Sequence, residues 1–304
     1  MEKNGRHLAL RENIVMKLGV FSFNTEYSIR ADDLAIAAEE RGFESVWFPE
    51  HTHIPASRET EWPAGGELPK EYVHMCDPFA SAAAAAVVTK KIKIGTGVCL
   101  LIEHDPIVLA KTVATIDRLS DGRFLFGIGA GWNREEMENH GTPFEHRWAI
   151  LEERVKAMKI LWAEEESTFK GEWVNFDRVW SYPKPLQKPH PPIILGTFGS
   201  KWGRQRVADY GDGWIPIEQL LGNLSEQIED LHSRLIANAR DPSEVLISMF
   251  DIFETSEDDL KRFADLGCIE RAIPRCPTED RDTVLRWLDK YAEIGRRIGA
   301  IADK

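Results

Sequence analysis

KIKIGTGVCLLIEHDPIVLAKTVATIDRLSDGRFLFGIGAGW, residues 91–132, reads as a strand, a helix and a second strand in one unbroken run. The stretch 91–101 is largely apolar and ends in a helix whose first turn holds Pro106, a position where the missing N–H of proline removes no intrahelical bond. The stretch 122–131 repeats the apolar strand pattern. Continuous apolar strands separated by a helix pair in parallel and are covered on their outer face.

The same unit recurs on both sides. Toward the N-terminus lie KLGVFSF (17–23), a helix over 28–43 that stops at Gly42, SVWFP (45–49), and a helix opened by Asp77 and running through Thr89. Toward the C-terminus, 132–191 holds a short acidic helix, a helix over 146–165 and an irregular, aromatic, proline-rich segment. Strands at 192–199, 212–217, 244–250 and 268–274 then alternate with helices over 200–210, 223–239, 256–265 and 279–298. Eight strand–helix units are what a closed α/β (β/α)8 TIM barrel requires, with a doubly wound open sheet as the second possibility. No linker or repeat divides 16–304, so one domain is expected, with a long loop after the second strand and an insertion between the fourth and fifth. Residues 1–15 precede the first clear strand and a second methionine, Met16, and read as a loose arm or a product of start-site choice.

Composition narrows the function. With 43% apolar and 29% charged residues the chain can bury a large core, and its net charge of −12 repels a nucleic-acid backbone or an anionic membrane surface. The apolar run FASAAAAAVV (79–88) is too short to span a bilayer, and no charged-then-apolar leader precedes it. A cytoplasmic protein is the expectation. The four cysteines form no C-x-x-C pair, so neither a disulfide framework nor a thiolate zinc site is indicated.

A barrel carries its site where strands end and loops begin. That rule gathers Glu50-His51, Gly95-Thr96-Gly97-Val98, Gly129-Ala130-Gly131-Trp132 and Gly196-Thr197-Phe198-Gly199. Together with GFESVWFPEH, the 91–137 run, PHPPIILG and VADYGDGWIPI, these strand ends resemble the bacterial-luciferase-like monooxygenase superfamily, and within it the branch of coenzyme F420-dependent oxidoreductases. The resemblance covers residues 16–295 and implies a flavin or deazaflavin across the barrel mouth. It also implies a backbone bulge with a cis peptide at Gly97-Val98, behind the ring.

By the same resemblance His51 is the general acid/base, a role suited to a side chain whose ordinary pKa is ~6.5. Glu50 either touches the cofactor or orients His51, and His53 has no assigned role. H-x-H (51–53) could also present two imidazoles to a cation, but the later strand ends offer no further ligands, so no metal is expected. GIGAGW (127–132) has the wrong spacing for a dinucleotide fingerprint. Gly129, Ala130 and Gly131 are instead cofactor-binding candidates, because glycines let a flat ring approach the backbone. Trp132 reads equally as a stacking partner for ring or substrate and as a packing residue. GTFGSKWGR (196–204) runs from a strand into a helix, so Gly196, Thr197, Gly199 and Ser200 form a candidate phosphate site beside Lys201 and Arg204.

Two departures from the family matter. Ala130 stands where FMN-using luciferases carry an arginine. Trp132 stands near where F420-dependent sugar-phosphate dehydrogenases carry an acid, which leaves a second proton-transfer group unidentified. The loop 52–76, with Trp62 and Tyr72, reads as a lid or as an ordinary surface loop. The expectation is an F420-dependent enzyme moving a hydride between deazaflavin C5 and a small organic molecule, acting as a homodimer. The alternatives are an FMN-dependent monooxygenase served by a separate reductase and a non-catalytic flavin-binding protein.

Overall fold

The computed structural model describes residues 14–302, so the reading of an arm over 1–15 falls almost wholly outside the described residues. Chain order is β1 (Lys17–Phe21), α1 (Ala31–Arg41), β2 (Ser45–Phe48), α2 (Pro78–Val88), β3 (Lys93–Thr96), β4 (Cys99–Leu100), α3 (Pro106–Leu119) and β5 (Phe124–Gly129). There follow α4 (Arg134–Asn139), α5 (Arg147–Ala163), β6 (Ser167–Lys170), β7 (Asn175–Val179), β8 (Ile193–Gly196), α6 (Lys201–Tyr210), β9 (Gly213–Ile215), α7 (Leu224–Ala237), β10 (Leu246–Phe250), α8 (Glu257–Asp265), β11 (Arg271–Ile273) and α9 (Arg281–Arg297). The main sheet runs β3-β2-β1-β11-β10-β9-β8-β5-β4 and closes through β3–β5 pairing, with every pairing in it parallel. This is the closed (β/α)8 barrel, not the open sheet.

The third stave departs from the expected single strand. β3 stops at Thr96, the chain steps outward through a cis Gly97–Val98 peptide, and β4 resumes the pairing with β5. Gly97 N–H still donates to Phe48 O at 2.8 Å and Thr96 Oγ1 to Gly127 O at 2.7 Å, so both flanking staves hold the bulge. The proline-rich segment is more regular than the sequence suggests, because β6 and β7 form an antiparallel hairpin with Phe169 paired to Phe176.

Helix starts follow local chemistry. The Asp77 and Asp105 carboxylates accept from free N–H groups of α2 and α3, and Gly42 ends α1 in the left-handed conformation, φ 87°, that a glycine adopts without strain. One apolar layer packs between staves and helices. A second fills the barrel with Phe21, Trp47, Leu125, Ile194, Ile215, Phe250 and Ile273. Trp47 lies so close over β3 that a Cβ at Gly95 would run into its ring. This inner layer is the floor on which the site rests.

Candidate active site

A cavity of about 150 Å³ opens at the C-terminal ends of the staves. Glu50, His51, Gly97, Val98, Gly129, Ala130, Gly131, Trp132, Gly196 and Thr197 all line it. Val98, the side chain of the bulge, is wedged between two glycines: a Cβ at Gly129 would lie 2.7 Å from Val98 Cγ2, and one at Gly196 2.7 Å from Cγ1. Those strand-end glycines are therefore needed by the bulge itself, and the apolar ledge it makes fits the back of a flat ring. Phe21, Phe23, Leu100, Ile215, Ile217, Phe250 and Ile252 complete a wall of mostly hydrocarbon.

His51 is held from both ring nitrogens. Its Nδ1 lies 2.6 Å from Glu136 Oε2, and Trp132 Nε1 donates to its Nε2 at 3.2 Å. An indole N–H can only donate, so Nε2 carries the lone pair and Nδ1–H donates to the carboxylate. In this arrangement Nε2 faces the indole of Trp132, which itself lines the cavity. Glu136, on α4, was not singled out in the sequence, yet it is the second group in hydrogen-bond contact with His51. Trp132 is a contact of His51 as well as part of the cavity wall. Tyr72 packs against both, with ring centroids 5.3 Å from His51 and 6.3 Å from Trp132.

Glu50 does not touch His51's ring nitrogens. Its Oε2 accepts from Leu100 N at 2.6 Å and its Oε1 pairs with His104 Nε2 at 2.8 Å. Burial works against a charged His104, but the hydrogen bond and charge of Glu50 outweigh it and hold its pKa above the ordinary imidazole value. Glu50 thereby pins β4 to the end of β2, behind the bulge. Cys99 brings its thiol into the same group, where burial and then Glu50 push its pKa far up and keep it protonated. His51 and His53 do not converge on a common point, since His53 Nδ1 meets Thr52 Oγ1 at 2.9 Å and its Nε2 meets Asn139 Nδ2 at 2.9 Å.

The candidate phosphate site divides. Gly196 and Thr197 face the cavity, but Gly199 and Ser200 are not among its lining residues. Ser200 Oγ caps α6 by accepting from Gly203 N, Thr197 Oγ1 accepts from Trp214 Nε1, and buried Arg204 is taken up by Asp230 and Gly199 O. Arg204 is thus a structural ion pair. A basic cluster lies outside the lining, behind Trp148: the Arg206 guanidinium stacks 4.4 Å from the Trp148 ring centroid, and Arg147, whose pKa is lowered by burial and then by Arg134 and Arg206, donates through Nη1 to Phe144 O and keeps its buried Nε without a partner. Arg134 is taken up by Glu145 and Glu138, which leaves the orphaned Arg147 N–H and the Arg206 cation as the pair suited to a phosphate or carboxylate.

The loop after β2 folds over the mouth. Its residues Ile54, Trp62, Ala64, Leu68 and Met75 pack on the inner apolar cluster, Arg58 stands over the Trp132 ring, and Glu135 of α4 accepts from the N–H groups of Glu59 and Thr60.

Behind His51 sits Glu103, with its side chain fully buried and one oxygen unpartnered. Burial, then the charges of Glu136 and Glu50, raise its pKa from 4.5 to about 9. Because the folded state holds this proton and the unfolded chain releases it above its ordinary value, stability contributed here falls as pH rises from about 4.5 to about 9. Glu103→Gln removes that fall. We expect the variant to match the parent near pH 4 and to exceed it by on the order of 5 kcal/mol at pH 8 in urea unfolding, about 1.4 kcal/mol per pH unit above 4.5; a constant difference across that range would contradict the assignment.

A closed barrel, a broken third stave that supplies an apolar ledge, and an imidazole lining the cavity at the strand ends are the features that place this chain in a class. The chain belongs to the luciferase-like monooxygenase family, whose model matches residues 16–298. It is 36% identical over 280 residues to an uncharacterized protein of Mycobacterium tuberculosis, covering 91% of this chain and 98% of that one. It is 32% identical over 187 residues to the F420-dependent glucose-6-phosphate dehydrogenase of Kineococcus radiotolerans, covering 60% of this chain and 50% of the relative. Among solved structures, monooxygenase RslO1 from Streptomyces bottropensis shares the fold with a TM-score of 0.72 at 22% identity, over 91% of this chain and 98% of that one. Matching relatives include both F420-dependent and FMN-dependent enzymes.

Proposed function

We propose that the protein is an F420-dependent oxidoreductase that exchanges a hydride with a small organic alcohol or carbonyl compound, with His51 taking or giving the accompanying proton. The observation that carries this reading is His51 at the cavity wall, its Nε2 accepting from the cavity-lining Trp132 and its Nδ1–H fixed by Glu136. When bound, the deazaflavin would supply two-electron hydride chemistry; Val98, Gly129 and Gly196 would form its bed and the Arg147–Arg206 corner would meet its anionic end. A substrate hydroxyl would replace the Trp132 indole as the partner of Nε2. The hydrocarbon wall excludes water from that bond and favours an uncharged substrate.

The second reading is an FMN-dependent monooxygenase fed by a separate reductase, which the basic corner suits equally well because FMN ends in a phosphate. Ala130 in place of an arginine weighs against it. A homodimer through α2 and α3 belongs to the same proposal, supported by exposed Val87, Val88, Ile107 and Val108. Among the described residues no helix is long and apolar enough to cross a membrane.

Trp132 and Trp148 line the cavity, so quenching of tryptophan fluorescence reports cofactor binding. Titration with F420 and with FMN tests the proposal directly, and tight binding of FMN alone would overturn it. Arg206→Ala is expected to weaken cofactor binding about 10-fold, the scale of one charge-assisted hydrogen bond. Unchanged affinity would remove this corner from the site.

A further inference from the structure

The far side of His51 is as organised as the side that faces the cavity. Glu136, buried throughout its side chain, receives His51 Nδ1–H on Oε2 and the Thr52 N–H on Oε1 at 2.9 Å. Thr52 Oγ1 lies 3.5 Å from that same Oε1 and 2.7 Å from His140 Nε2. Donor and acceptor roles follow from the ends of the chain. The Asn139 amide donates to His53 Nε2, so His53 Nδ1 carries its proton and donates to Thr52 Oγ1, whose own hydrogen has three acceptors in reach, Glu136 Oε1 and Glu103 Oε2 at 3.5 Å each and His140 Nε2 nearest at 2.7 Å. The hydroxyl is thus aimed outward, toward an imidazole whose side chain is 29% exposed, whereas Glu136 at the inner end is 0% exposed.

We propose that Glu136, Thr52 and His140 form a proton relay that joins His51 Nδ1 to bulk solvent across the rim of the barrel, leaving the cavity itself dry. The proposal rests on His51 being the proton-transfer group. A proton bound at Nε2 releases the one at Nδ1 to Glu136 Oε2. The carboxyl group turns and passes it from Glu136 to Thr52 Oγ1 as the Thr52 hydrogen moves to His140 Nε2, and His140 returns a proton to water. One proton enters and one leaves, with no electrons moved. In the reverse direction the same path recharges His51 after it has protonated a product.

The surroundings favour such traffic. The titratable groups around Glu136 and Thr52 are Glu103, Glu50, His53, His104 and His140, with Arg58 over the outer face of Trp132. Burial and then the neighbouring His53 lower the pKa of His140, so it gives up an acquired proton readily at neutral pH. Glu103, held protonated to about pH 9, adds no second negative charge beside Glu136. A purely structural role would need only the Thr52 backbone N–H on Glu136; it gives no reason for a hydroxyl set between a buried carboxylate and two imidazoles.

The test needs neither cofactor nor substrate. In the full-length protein with nitrogen-15-labelled histidine, exchange of the His51 Nδ1 proton with water is measured by NMR in the parent, Thr52→Val and His140→Gln. Thr52→Val keeps the backbone N–H on Glu136, and His140→Gln leaves Thr52 intact. The relay requires exchange to slow by about 100-fold in both, the lower end of what a positioned proton-transfer group contributes. Exchange unchanged or faster in both would show that the proton leaves through the cavity, and the relay would be abandoned. Slowing in Thr52→Val alone would exclude His140 as the exit and overturn the path as drawn. A failed relay leaves the fluorescence titration of F420 untouched, so the two ideas stand or fall separately.

Discussion

Replacing His51 by asparagine is expected to lower turnover by about 1,000-fold while leaving cofactor affinity within a few-fold of the parent, the span that general acid–base groups contribute. Asparagine keeps a polar group of similar reach, but its amide cannot take a proton near neutral pH, so a hydride leaving an alcohol carbon would leave the O–H bond unassisted. Glu136→Gln should cost less, about 100-fold, because the imidazole stays and loses only the carboxylate that balances its positive charge. The split between the two is informative. A His51 that merely packs against Tyr72 and Trp132 would show the reverse pattern, with affinity lost and turnover kept. The measurement is single-turnover reduction of bound F420 by an accepted substrate, run beside the fluorescence titration. If His51→Asn retains more than a tenth of parental turnover, the imidazole is not the proton-transfer group and the relay behind it has no purpose.

The architecture was largely legible, and the reason is periodicity. Eight apolar strands, each followed by a helix with its own start and stop signals, left little choice but a closed parallel barrel, and the barrel rule then gathered residues from four strand ends that are far apart in sequence. The β6–β7 hairpin escaped notice because STFK and NFDRV are short and mostly polar, and their pairing depends on Phe169 meeting Phe176 across a turn. Glu136 escaped for a different reason. The rule stops at the strand end, whereas this carboxylate sits in α4, two residues past the helix start and seven past the end of β5, and nothing in the local pattern aims it at an imidazole on another stave. Arg204 shows the limit from the other side. It reads as added positive charge beside the candidate phosphate set, but its partner Asp230 is 26 positions away on α7, a distance no local pattern reports. Local chemistry predicts elements well; which buried charge meets which is settled only when the barrel closes.

That closure makes Arg271→Met the substitution with the largest expected loss of stability, about 3 kcal/mol, the lower end of the cost of breaking a buried ion pair, because Glu44 keeps only the more exposed Lys93. Arg271 opens β11, and its side chain is fully buried at the N-terminal end of the barrel. Its Nε and Nη2 meet the two oxygens of Glu44 at 3.0 and 3.2 Å, and Nη1 donates to Ser248 Oγ at 2.8 Å. Glu44 leads into β2 and also pairs with Lys93 of β3 at 2.8 Å. One carboxylate therefore ties the last staves to the second and third. Burial pushes the Glu44 pKa up, but Arg271 and then Lys93 overcome it and hold the carboxyl at about 2, against an ordinary 4.5. The sign follows: a depressed acid contributes stability that is present above about pH 4.5 and is lost as pH falls toward 2. In Arg271→Met the penalty should be full at pH 7 and shrink in acid, where the stranded Glu44 can protonate. The double variant Arg271→Met/Glu44→Gln should recover part of the loss at pH 7, since it removes the charge that the single variant strands. Urea unfolding of the parent, both single variants and the double variant at pH 7 and pH 4 decides the matter. A single-variant loss below about 1 kcal/mol, or a double variant worse than the sum of its parts, would mean that hydrocarbon packing and not this ion pair holds the lower end of the barrel closed.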